Sequence, residues 1–101
     1  MKLLVITAIK EFKKDIKQML QKANVKEYSY REVTGFRDAS EDALESNWFA
    51  SELNENESTL FYAFVKKENV DLLFRLVDEF NAGQETLSKV HVAVLNIEKS
   101  N

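Results

Sequence analysis

Thr59–Val65 reads TLFYAFV, and both of its alternating side-chain sets are apolar: Leu60, Tyr62 and Phe64 on one side, Phe61, Ala63 and Val65 on the other. A strand covered on both faces loses the apolar–polar alternation of a half-exposed one, so this run predicts a central strand. Leu3–Ile9, LLVITAI, has the same character. Leu3, Val5 and Ile9 project to one side with Thr7 among them, and Leu4, Ile6 and Ala8 project to the other. The chain therefore has two predicted central strands.

Downstream of Val65 the apolar period changes from 2 to 3.6. Val70, Leu73, Leu76, Val77 and Phe80 form one helical stripe, with Asp71, Arg75, Asp78 and Glu79 off it. Asn69 is the predicted N-cap, and Asn81-Ala82-Gly83 the predicted end, glycine being common just past a helix. Lys89–Ile97, KVHVAVLNI, is the last predicted strand, with Val90, Val92 and Val94 on one face and His91, Ala93, Leu95 and Ile97 on the other. After the first strand, Phe12, Ile16, Met19, Leu20 and Ala23 predict a helix over 11–23, and Lys10, Lys13, Lys14, Lys17 and Lys22 lie largely off its apolar stripe. Asn24 suits the end of this helix because asparagine tolerates left-handed backbone geometry. Lys26–Phe36, KEYSYREVTGF, reads as a strand in which Tyr28 and Tyr30 share one parity and Val33 falls on the other. Such a slip predicts a β-bulge. Gly35, one of only two glycines, stands where unusual backbone angles or close approach would require it.

The order strand, helix, strand, strand, helix, strand predicts an α+β, ferredoxin-like βαββαβ sandwich in one domain over 1–101. Its sheet has four antiparallel strands, with the first and third central and both helices on one face. The two doubly apolar runs are the first and third strands, as that topology requires. The helix-free face then carries a broad apolar set, which predicts an oligomer that buries it.

Arg37–Ser58 connects the second and third strands. It holds seven acids (Asp38, Glu41, Asp42, Glu45, Glu52, Glu55, Glu57) against Arg37, a formal charge of −6 where the whole chain is −3. Connections beyond about 12–15 residues inside a small domain are usually functional or disordered. A solvated acidic face is the simplest reading of these residues. If the segment is helical, Glu41 and Glu45 share a face and, with Asp42, could hold a hard divalent cation. Leu44 with Trp48, and Phe49 with Leu53, are i,i+4 apolar pairs; Trp48 and Phe49 suit either a local staple or an anchor for a partner protein. His91, the only histidine, is either a strand histidine at a partly buried or interface position or a further metal ligand.

Composition removes several function classes. There is no cysteine, hence no disulfide framework and no thiolate metal site. The acidic balance argues against nucleic acid, and no K/R-G-F/Y signature of an RNA-recognition sheet is present. No segment approaches the ~20 apolar residues of a membrane span. The apolar start is too short for a signal peptide, so a soluble, cytoplasmic protein is expected. No Ser/His/Asp set, GxxxxGK[ST] or GxGxxG occurs, and no enzyme activity is expected.

Ala8-Ile9-Lys10 followed by Phe12, the helix running to Ala23-Asn24-Val25, and above all Glu32-Val33-Thr34-Gly35-Phe36 resemble the nitrogen-regulatory PII-like proteins. The last run is similar to the E-V-x-G-F entrance to that family's T-loop, and Arg37–Ser58 stands where that loop belongs. The resemblance implies a homotrimer with ligand clefts between subunits. It also implies a regulatory loop that an effector reshapes and that engages a membrane transporter or an enzyme. Carried over by position, Gly35, Phe36 and Arg37 would form the loop base, with Lys10, Gly83 and Lys89 near the cleft. The family's TGxxGDGK phosphate cradle is reduced to Gly83 and Lys89 in Ala82–Lys89, AGQETLSK, and the loop has no tyrosine to modify. These departures argue against ATP or ADP as the effector. Small proteins of similar fold are associated with metal tolerance, so divalent-metal binding through the loop carboxylates and His91 is the alternative function.

Overall fold

The computed structural model describes residues 1–36 and 55–101. Its strands are β1 (Lys2–Ile9), β2 (Ser29–Phe36), β3 (Glu55–Val65) and β4 (His91–Asn96); its helices are α1 (Lys13–Lys22), entered through a 3-10 turn at Lys10–Phe12, and α2 (Lys67–Ala82). The sheet order is β2-β3-β1-β4 with every pair antiparallel. This is the expected ferredoxin-like arrangement, with the two doubly apolar runs in the centre.

Register explains why those runs need apolar residues on both parities. Leu4 lies opposite Ala63 and Ile6 opposite Phe61, and all four are buried with Ile16 and Leu20 of α1 and Leu73 and Val77 of α2. Burying each such large aliphatic or aromatic side chain is worth about 1.5–3 kcal/mol. Phe12 meets Phe80 edge-on at 5.1 Å, tying the 3-10 turn to the last turn of α2. The opposite parity faces away from the helices. There Leu3 lies opposite Phe64 and Leu95, and Val5 opposite Tyr62 and Ala93. Phe64, Tyr62 and Leu95 are 58%, 42% and 47% exposed, so an apolar sheet face is left open, as expected.

The two helices end differently. Asn24 takes φ 63, the one non-glycine positive φ among the described residues. The amide of Val25 donates to Leu20 O at 2.9 Å and that of Asn24 to Gln21 O at 3.0 Å, while Val25 and Leu20 are both buried. That is a Schellman closure with its apolar contact, and it bears out the reading of Asn24. At the end of α2, Gly83 keeps φ −85, so its place after the helix does not come from left-handed geometry. The start of α2 also departs from expectation. The helix begins at Lys67, Asn69 lies in its first turn, and the preceding Lys66 makes no side-chain cap bond. The polar run Lys66–Asn69 masked this start, because the apolar stripe begins only at Val70.

Strand pairing corrects two further expectations. β2 pairs one-to-one with β3 from Ser29↔Tyr62 to Phe36↔Glu55, with no bulge. Tyr30 is simply on the helix side of the sheet and Val33 on the open side, because an edge strand can present apolar groups to both. Gly35 is buried in regular strand and no glycine has a positive φ, so unusual backbone angles do not explain it. β3 starts at Glu55, four residues before the apolar run. β1 ends opposite Ser58, so Glu55–Glu57 pair with β2 alone as a two-stranded ribbon. Backbone hydrogen bonds sustain such a ribbon without apolar side chains, which is why its polar sequence read as loop.

Candidate functional site

β1 ends, β2 ends, β3 begins and β4 begins at one end of the sheet, as the pairings Ile9↔Ser58, Gly35↔Asn56 and Thr7↔His91 require. The last turn of α2 reaches the same end through the Phe12–Phe80 contact. Lys10, Gly35, Phe36, Gly83 and Lys89, scattered in sequence, are thus carried to one end of the fold. Arg37, Glu41, Asp42, Glu45, Trp48 and Phe49 lie outside the described residues, as does any helix in that segment.

Lys10 opens the 3-10 turn directly after β1 and pairs with the carboxylate of Glu57 on β3. The hydrogen bond and charge of Glu57 raise the Lys10 pKa, and Lys10 in turn holds the Glu57 carboxyl below its usual range. Both groups are well exposed, so the pair contributes little to stability. It does define the foot of the β2–β3 ribbon, and an anion approaching Lys10 competes with Glu57. Phe36 closes β2 opposite Glu55 and is 65% exposed.

Lys89 and Gly83 have local roles. Lys89 Nζ donates to the carbonyl of Asn81 at 3.1 Å, placing a cation at the negative end of α2. Asn81 also clasps Val90: its Nδ2 donates to Val90 O and its Oδ1 accepts from Val90 N, both at 2.8 Å. Val90 therefore spends its backbone groups on a side chain, and β4 begins one residue later. The Asn81 clasp was not foreseen; its signal was an asparagine in the last helical turn, read only as a stop. Space around Gly83 is ordinary. A Cβ there would sit 3.6 and 3.7 Å from the carbonyls of Glu79 and Phe80, plain van der Waals contact. Gly83→Ala is expected to stabilise the fold by about 0.4–1 kcal/mol, because alanine restricts the unfolded chain at a φ it accepts. A lowered denaturation midpoint in urea would refute this.

His91 stands at the start of β4 on the open face, across from Thr7, and burial pushes its imidazole below the ordinary range. Among the described residues no group of three or more His, Cys, Asp or Glu side chains could hold a metal ion. The Lys10–Glu57 pair was missed because Glu57 was counted with the acidic connection, and only the extension of β3 carries it to Lys10. No helix among the described residues is long and apolar enough to cross a membrane.

No family model matches the sequence, and no curated protein matches it. Solved structures do. CPII, a nitrogen regulatory PII-like protein from Thiomonas intermedia K12 whose structure holds ADP, AMP and bicarbonate, is 18% identical with a TM-score of 0.63, covering 99% of this chain and 94% of its own. The fold is PII-like. A DUF3240 family protein from Shewanella baltica OS155 is 16% identical with a TM-score of 0.67, covering 99% of this chain and 92% of its own. At such identities the likeness is one of fold. Gly83 keeps an ordinary helical φ, and Lys89 is turned onto the helix terminus.

Proposed function

We propose that this chain is a non-catalytic regulatory protein that works as a homotrimer in the cytoplasm. Its acidic β2–β3 connection would respond to a small effector or ion and engage a partner such as a transporter or an enzyme. The observation that carries this reading is the PII-like fold combined with an open apolar sheet face formed by Leu3, Val5, Tyr62, Phe64 and Leu95. An apolar face of that kind is rarely left in water, and a closed ring of copies would cover it on every subunit. The effector site would take in Lys10, Gly35 and Phe36 at the foot of the ribbon and Gly83 and Lys89 near the α2 terminus, with Arg37, next in sequence after Phe36, as the further candidate. CPII is described with ADP, AMP and bicarbonate. The cap geometry of Lys89 and the single glycine of Ala82–Lys89 favour a smaller effector here than an adenine nucleotide. The control is population shift: an effector that binds one arrangement of the connection better raises its share.

Sedimentation velocity at micromolar concentration is expected to return the mass of three chains. A mass of one chain at that concentration would overturn the assembly and, with it, any site built between subunits.

A further inference from the structure

A groove of about 630 Å³ lies between α1, from Lys14 to Gln21, and the segment leading into β2. Lys14, Lys17, Gln18 and Gln21 fall at i, i+3, i+4 and i+7, so one stripe of α1 forms its first wall. The Schellman turn at Asn24 reverses the chain and sets Lys26 and Tyr28 as the second wall. Three lysines therefore line one cavity in a chain whose net charge is −3, and none of its lining residues is acidic. Two nearby acids, Glu27 and Glu68, line a neighbouring groove that shares Asn24, Val25 and Lys26 with this one. Gln18, Gln21 and Asn24 add side-chain amides, which donate to phosphate oxygens as well as accept.

We propose that this groove is a binding site for a small soluble anion carrying two or more phosphate groups. Lys14, Lys17 and Lys26 would neutralise it, and Gln18, Gln21 and Asn24 would donate to its oxygens. Like charges around a concave surface repel one another and focus a positive potential into it, and a multivalent anion relieves both. One of the three groove lysines, Lys17, is already held beside the cavity, on a ring that does not itself line it. Lys17 Nζ donates to Tyr30 OH at 3.1 Å, and the ammonium groups of Lys17 and Lys13 lie 4.4 and 4.7 Å from the centre of the Tyr30 ring. Tyr30 in turn stacks on Phe61 at 5.1 Å, which anchors the phenol to the core. Holding Lys17 in this way lowers the ordering cost that this side chain would incur on binding. The groove is on the helix side of the sheet, so it stands whether or not the open face is a subunit interface.

The test is calorimetric titration of the full chain with inorganic tripolyphosphate at low salt, read together with the side-chain amide NMR signals of Gln18, Gln21 and Asn24. Binding is expected, with those amides shifting and the Asn81 amide unmoved. Lys14→Gln, Lys17→Gln and Lys26→Gln should each weaken it by about three- to tenfold, and raised salt should weaken it further. Lys22→Gln and Lys67→Gln, off the groove, should leave it unchanged. Absence of binding overturns the proposal. Equal weakening by the off-groove variants does so too, since that is diffuse attraction and not a site. A parallel arm uses phosphatidylcholine vesicles containing phosphatidylserine; adsorption to these without tripolyphosphate binding would mean a lipid surface and also overturns it.

Discussion

Phe61→Ala is expected to lower the stability of the fold by about 3–5 kcal/mol. Phe61 is 1% exposed at the middle of β3, opposite Ile6 on one neighbour strand and Tyr30 on the other. Its ring meets Tyr28 at 5.7 Å and Tyr30 at 5.1 Å. Alanine loses the transfer free energy of the ring and leaves a void that strands pinned on both sides cannot close. The loss is a large share of the roughly 5–15 kcal/mol that holds a typical domain together. At about 4–8 °C per kcal/mol for a chain near this size, the thermal midpoint should fall by at least ~12 °C. Circular dichroism against urea at one fixed protein concentration measures it, since assembly makes apparent stability concentration-dependent. A loss below about 1 kcal/mol would mean that the sheet centre is not packed as described.

Phe64→Asp, three residues further along the same strand, should do the opposite kind of damage. Phe64 faces away from the helices and is 58% exposed within one chain, so aspartate there costs the isolated fold little. In an assembly that buries the open face, the same carboxylate must be desolvated among apolar groups. An unpaired buried charge costs several kcal/mol, and each 1.4 kcal/mol is tenfold in affinity. Association should weaken by at least ~100-fold, and sedimentation should return the mass of a single chain with an unchanged far-ultraviolet spectrum. Retention of the oligomer would place its interface elsewhere. The contrast with Phe61 follows from the period of a strand: an odd separation moves a side chain from core to open face.

Much of this was legible before any coordinates. Apolar character on both parities marks Leu3–Ile9 and Thr59–Val65 as central strands, because only a strand covered on both sides has use for it. The Asn24 turn was legible too, since few side chains tolerate that backbone geometry. What stayed hidden was set by contacts distant in sequence. Glu57 looked like one more acid of a long connection until β3 was seen to begin at Glu55 and bring it to Lys10. Lys89 reads in sequence only as an anion contact, and the fold adds that its ammonium caps the carbonyl of Asn81. Val33 suggested a bulge because a single strand does not reveal which of its faces is covered.

The order of elements, the two central strands, the amphipathic helices and the open apolar face follow from this sequence alone. They depend on hydrophobic period and local backbone preference, which are properties of neighbouring residues. The tertiary structure decided the pairing of Lys10 with Glu57, the Asn81 clasp on Val90, and the groove that gathers Lys14, Lys17 and Lys26. Each of these joins polar groups from different elements. Polar side chains follow no period that would announce a partner, so only the packing of the apolar residues beneath them determines which ones meet.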